Sequence, residues 1–200
     1  METINITLYN FNELCEDSQK VAIRNQIEFN YENIYLDFLI DEFKEIAENQ
    51  GFINPKFEYS LSNSQGDGLS FSFDYFDSEK LRELIKKFTN KNTIWFLDSI
   101  QNSIFSIKGK GNTGRYCFAL HEQIELFADF GNYRSWNFYT NISEIQDKIL
   151  SRIQNNYMNL CHDFEKTAYK EIEYQTSKEF AKETLINGPQ FLKSGLIPNF

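Results

Sequence analysis

The strongest constraint on this chain is a pair of short alternating runs separated by a polar, glycine-bearing stretch. Lys56-Phe57-Glu58-Tyr59-Ser60-Leu61 and Leu69-Ser70-Phe71-Ser72-Phe73 each carry a large apolar side chain at every second residue, which is the period of a strand with one buried face. Between them lies Ser62-Asn63-Ser64-Gln65-Gly66-Asp67-Gly68. Glycine reaches positive φ without steric cost and Asp bonds its own backbone, so the chain reverses here and the two runs form a β-hairpin. Turn geometry accounts for the glycines. It leaves Ser62, Ser64 and Gln65, which together with Asp67 are the candidate binding residues of a polar hairpin tip; the plain alternative is that these groups satisfy the local backbone.

The remaining elements can be placed around this hairpin. Alternation from Thr3 to Tyr9 predicts a first strand, Phe11 to Leu14 a turn, and Glu16 to about Phe29 a helix with a modest apolar stripe. Tyr31, Ile34, Tyr35, Phe38, Leu39, Phe43, Ile46 and Ala47 recur at helical spacing up to Gly51, predicting a strongly amphipathic helix with a glycine stop. Asp77-Ser78-Glu79 opens a third helix in which Leu81, Leu84, Ile85 and Phe88 alternate with Lys80, Arg82, Lys86 and Lys87. Runs at 103–108 and 115–120 flank Gly109 to Gly114 as a second hairpin, with 124–130 a further strand. Ser143-Glu144-Ile145-Gln146 matches a capping box and opens a long helix through Ala168; another helix starts near Thr176-Ser177 and stops at Asn187-Gly188-Pro189. Residues 190–192 are expected as a short closing strand. Hairpins between flanking helices predict an α+β fold, with antiparallel sheet packed on the N-terminal helices and on the long C-terminal one. The expected organisation is one globular domain over 1–200, with a helical C-terminal part at 142–187.

Motifs for chemistry are weak. Gly109-Lys110-Gly111-Asn112-Thr113-Gly114 reads G-x-G-x-x-G, but a dinucleotide fold needs that string between a strand and a helix, and here a strand is expected to follow. Cys117 with His121 and Cys161 with His162 contain metal-ligand types, yet neighbours on a helix diverge by about 100° and do not share one ion. No base is placed beside a thiol, and Asp41-Glu42 and Asp74 with Asp77 read as a solvated helix face and a helix cap. No catalytic residue, metal or cofactor is therefore assigned.

With 29 acidic against 20 basic residues the formal charge is −9, which disfavours coating of nucleic acid and favours basic partners. Lys86, Lys87, Lys91, Lys108, Lys110 and Arg115 are local exceptions and the candidates for phosphate contact. The N-terminus has neither a basic region nor a long apolar run, so a cytoplasmic protein without membrane contact is expected. Three widely spaced cysteines, Cys15, Cys117 and Cys161, suit reduced thiols.

Phe11-x-Glu13-Leu14, Gly51-Phe52, Tyr59-Ser60-x-Ser62-x-Ser64-Gln65-Gly66-Asp67-Gly68, Phe71, Tyr157 with Leu160, 165–174 and Asn187-x-x-x-Phe191-x-x-x-Gly195 together resemble the S-Q-G-D-G proteins of phages and plasmids. These are small accessory proteins, sometimes labelled antitoxin-like, with no assigned activity. Many members carry a His two residues after a mid-chain Tyr; here Tyr116 is followed by Cys117 and Phe118, a departure that counts against a shared acid-base mechanism. The resemblance implies a counter-defence protein of anti-CRISPR type. Such a protein is expected to be non-enzymatic, to act in the host cytoplasm, and to bind a host defence effector or ribonucleoprotein such as an RNA-guided nuclease. The alternatives are a nucleic-acid or guide-RNA-binding accessory protein using the six basic residues, and an uncharacterised hydrolase centred on Asp67.

Overall fold

A computed structural model describes residues 6–61, 67–88, 107–110, 125–128 and 136–198. The fold is α+β: among the described residues there are five helices and paired antiparallel strands, including a long helix near the C-terminus. Two compact units are present, one drawn from residues 1–36 and 167–200 and the other from 37–166.

In the first unit a single 3-10 turn, Phe11–Glu13, leads into helix α1, Glu16–Glu32. The turn is tied off locally, because the Glu13 carboxylate accepts from the Asn10 N–H at 2.7 Å. Phe11, Leu14, Ala22, Leu185 and Phe191 form the core, with Phe11 and Phe191 meeting edge to face at 6.3 Å. The expected first strand is reduced in its described part to one residue, Tyr9, whose N–H and C=O exchange bonds with Phe191 at 2.9 and 2.8 Å. The partner tail cannot extend the ladder, since it turns at Gly195, whose N–H bonds Leu192 O. Gly195 is obligatory there: φ is +83°, and a Cβ would lie 2.2 Å from Ser18 O.

The sequence pattern joined Tyr31, Tyr35 and Phe38 to the amphipathic helix, whereas the structure breaks the chain at 33–36 and leaves all three exposed. Local capping outcompetes the period. Asn33 N–H bonds Asn30 O and its side-chain amide bonds Phe29 O, ending α1. The buried Gln175 amide then accepts from Tyr35 N–H and donates to Tyr35 O, at 3.1 and 2.8 Å, so both backbone groups of Tyr35 are satisfied without a helix.

In the second unit helix α2, Asp37–Asn49, buries Leu39, Phe43 and Ala47 at i, i+4 and i+8 and ends at Gly51, φ +103°. Strand β1, Phe52–Ile53, pairs with β4, Tyr75–Phe76; inside that pair, β2, Lys56–Ser60, is antiparallel to β3, Gly68–Ser72, with Phe57 opposite Phe71. The expected hairpin is thus present, Gly68 lying in its second strand. Helix α3, Ser78–Phe88, begins where Asp77 Oδ1 accepts from the N–H groups of Glu79 and Lys80. Strand β5, Ile107–Lys110, pairs with β6, Glu125–Ala128. Gly109 is therefore a strand residue opposite Leu126 rather than a loop tip; 111–124, including the expected partner run 115–120, lie outside the described residues.

Helix α4, Trp136–Gln175, starts seven residues before the expected capping box, so Ser143 is interior. The nearest upstream breaker in the sequence is Gly131, and no Gly or Pro lies between Trp136 and Ser143. Its stripe of Ile149, Ile153, Tyr157, Cys161 and Phe164 is buried in the second unit; Ala168, Ile172 and Gln175 are buried in the first. Helix α5, Lys178–Ile186, is capped as expected by Ser177, whose hydroxyl accepts from Phe180 N–H.

Candidate functional site

The hairpin stands on an aromatic floor. Phe52 is fully buried and meets Phe71, Phe73, Phe76 and Tyr157 edge to face at 4.9–5.9 Å, while Phe43 stacks on Phe164 at 4.3 Å. Such ring pairs fix orientation as well as burying area. The closest tie between hairpin and helix is polar. The Tyr157 hydroxyl donates to Phe71 O at 2.8 Å and accepts from Phe71 N–H at 3.0 Å, so one side chain of α4 holds both backbone groups of a central β3 residue. Burial pushes its ionisation far up, and Cys161 beside it adds to the effect.

Above this floor Ser60 donates to Asp67 Oδ1 at 2.8 Å, tying the two chain segments together at the turn-proximal end of the strand pair. Of the four tip candidates Asp67 is thus placed, half-buried and engaged; Ser62, Ser64 and Gln65 lie outside the described residues.

The basic candidates separate. Lys86 and Lys87 are exposed on the last turn of α3. Lys108 and Lys110 fall in β5 by backbone position, and Lys91 and Arg115 are outside the described residues. Lys87 shares a cleft of about 260 Å³ with Lys80, Glu83, Arg152, Asn156 and Gln50. Lys80 is committed there, its ammonium donating to the terminal α2 carbonyls of Glu48 and Asn49. Arg152 and Lys80 were not singled out from sequence for this role; one signal was Arg152 four residues before Asn156 on a helical face.

The thiols and imidazoles are also divided. Cys161 is fully buried and its thiol is pushed up to about 12, chiefly by burial, while the adjacent His162 is exposed. Cys15 is exposed, and hydrogen bonds from the Ser18 side chain and backbone lower its pKa. Cys117 and His121 lie outside the described residues. Among the described residues, no three His, Cys, Asp or Glu side chains gather to hold a metal ion, and no helix is long and apolar enough to cross a membrane. Asp41 and Glu42 face solvent, and Asp74 accepts from Asn54 and Lys56 at the hairpin base.

No protein-family model, no curated protein and no solved structure matches this chain.

Proposed function

We propose that the chain is a phage- or mobile-element-encoded counter-defence protein of anti-CRISPR type, which inhibits a host effector such as an RNA-guided nuclease by occupying it. The observation that carries this reading is the mounting of the hairpin. Tyr157 pins β3 through both polar groups of Phe71, and Ser60 bonds Asp67, so the strands that flank the polar stretch are held on a packed base. Flanking strands that are already fixed lose less entropy on binding, which is how a small protein gains affinity without chemistry. The −9 charge suits a basic nucleic-acid channel as the target. The expected resemblance to S-Q-G-D-G proteins has this same tip as its most specific motif.

Occupancy has a stoichiometric consequence: each copy removes one target and nothing regenerates it. Titration of the purified effector should therefore break near equivalence. Complete inhibition at a small fraction of equivalence, with the effector or its RNA chemically altered, would replace this reading with an enzymatic one.

The Lys87 and Arg152 cleft favours a second reading, direct contact with RNA phosphates. It predicts salt-dependent retardation of RNA that a Lys87→Glu, Arg152→Glu chain loses; no retardation even at low salt would dismiss it.

A further inference from the structure

The clamp on Phe71 also determines the direction of every backbone group in the hairpin. In an antiparallel pair, opposite residues alternate between those that exchange N–H and C=O bonds and those that do not. Phe71 N–H and C=O both point at Tyr157 and away from β2, so Phe57 and Phe71 are a non-bonded pair. By register the bonded pairs are Lys56 with Ser72, Glu58 with Ser70 and Ser60 with Gly68. The N–H and C=O groups of Phe57 and Tyr59 then project from the outer edge of β2. Among the described residues β3 is the strand neighbour of β2, and the Phe57 and Tyr59 groups make no other backbone bond there. Along this edge Lys56, Glu58 and Tyr59 are exposed residues.

We infer that the outer edge of β2 is a docking edge to which a protein partner adds an extended, basic segment as a further strand. This deepens the occupancy reading and rests on it. Two donors and two acceptors alternating at strand spacing are met in register by the backbone of another strand. The charge on the edge chooses among strands. Lys56 is already paired with Asp74 at 3.3 Å, whereas Glu58 has no ion partner among the described residues. It sits on the face of β2 away from Phe57 and the aromatic floor. A second copy of this chain, paired symmetrically about Glu58, would set two carboxylates opposite each other, which is unfavourable. A segment with Lys or Arg at that position meets Glu58 favourably, and Tyr59 offers a half-exposed ring to the next residue along.

The test begins with amide exchange in the free full-length chain, followed by NMR. Phe57 and Tyr59 N–H should exchange at least about tenfold faster than Glu58 and Ser60 N–H, an alternation along one strand. The probe is a capped peptide of alternating Thr and Val with a central Lys, with a central-Glu peptide as control. The Lys peptide at millimolar concentration should slow Tyr59 exchange and the Glu peptide should not. Tyr59→Pro removes an outward N–H and leaves the β3 ladder intact, as proline does at an edge; it should melt like the parent and lose the peptide effect. Uniform protection at Phe57 and Tyr59 in the free chain, equal response to both peptides, or undiminished binding by a folded Tyr59→Pro chain would each overturn the docking edge. A Tyr59→Pro chain that still titrates the effector one for one would overturn the edge while leaving occupancy intact. A parent chain that takes up the Lys peptide but does not bind the effector would do the reverse.

Discussion

Replacing Tyr157 with Phe tests the joint on which the hairpin depends. The ring remains, with its contacts to Phe52 and Phe71 at 5.9 and 4.5 Å, so the change is confined to one buried hydroxyl. That hydroxyl serves two backbone groups, Phe71 N–H and Phe71 C=O, and Phe71 is itself 1% exposed, which denies both groups easy access to water. A buried polar group left without a partner costs about 1–3 kcal/mol, and two on one residue relax together, so a loss of about 2–4 kcal/mol is expected. In a chain of this size that lowers the melting midpoint by roughly 5–12 °C. Urea unfolding followed by circular dichroism should show a lower midpoint at unchanged slope, and Phe71 N–H should become the fastest-exchanging amide of central β3. A loss below about 0.5 kcal/mol at unchanged slope would mean that the hydroxyl is not what holds the strand, and the mounting argument would fall with it.

Gly195→Ala should destabilise the chain by roughly 2–4 kcal/mol, because it combines positive φ with a Cβ inside Ser18 O; a thermal melt within error of the parent would refute this. In a Cys117→Ser background, iodoacetamide at neutral pH should label Cys15 within minutes and leave Cys161 untouched until unfolding, as read by mass spectrometry. Cys161 stays a thiol in the fold above the usual 9.0, so its contribution is complete below about pH 9 and is lost as pH rises toward about 12; Cys161→Ala should flatten the alkaline fall of the urea midpoint. Asp67→Ala should cost roughly 1 kcal/mol through loss of the Ser60 bond, and inhibition that disappears in the fully folded variant would make Asp67 an interface residue.

The hairpin was legible because its information is local: a period of two in aromatic residues, interrupted by turn chemistry, specifies strand, face and reversal together. The stripe of α4 was legible for the same reason, although its start was not, since a capping box marks one favourable start and helix propagates past it where no breaker intervenes. The break at 33–36 was hidden. The apolar period runs straight through it, and what overrides the period is Asn33 closing α1 together with the side chain of Gln175, 140 residues from Tyr35. Tyr157 was legible as one member of a buried stripe and illegible as a clamp, because the partner of its hydroxyl lies 86 residues away and is backbone, which leaves no trace in side-chain pattern. The open edge of β2 follows from that same bond and was hidden with it. The pairing of β5 with Glu125–Ala128 was likewise undetermined, since adjacent alternating runs offer more than one register.

Many of the described residues on which the sequence-based expectation of a likeness to S-Q-G-D-G proteins rests have a structural duty in this chain. Phe11, Leu14 and Phe191 are the core of the first unit, Glu13 ties off its entry turn, and Gly195 admits a backbone contact that no side chain permits. Gly51 ends α2 where a Cβ would meet Phe76 at 2.9 Å, and Phe52, Phe71 and Tyr157 are the aromatic floor. A likeness resting on such positions speaks first to architecture, since packing and turn geometry already require those residue types. The tip is different in kind. Asp67 is bonded by Ser60 and Gly68 lies in β3, whereas Ser62, Ser64, Gln65 and Gly66 lie outside the described residues. If the proposed binding role holds, substitutions at Ser62, Ser64 and Gln65 and along the edge of β2 should separate binding from stability as substitutions at Phe52 or Gly195 do not.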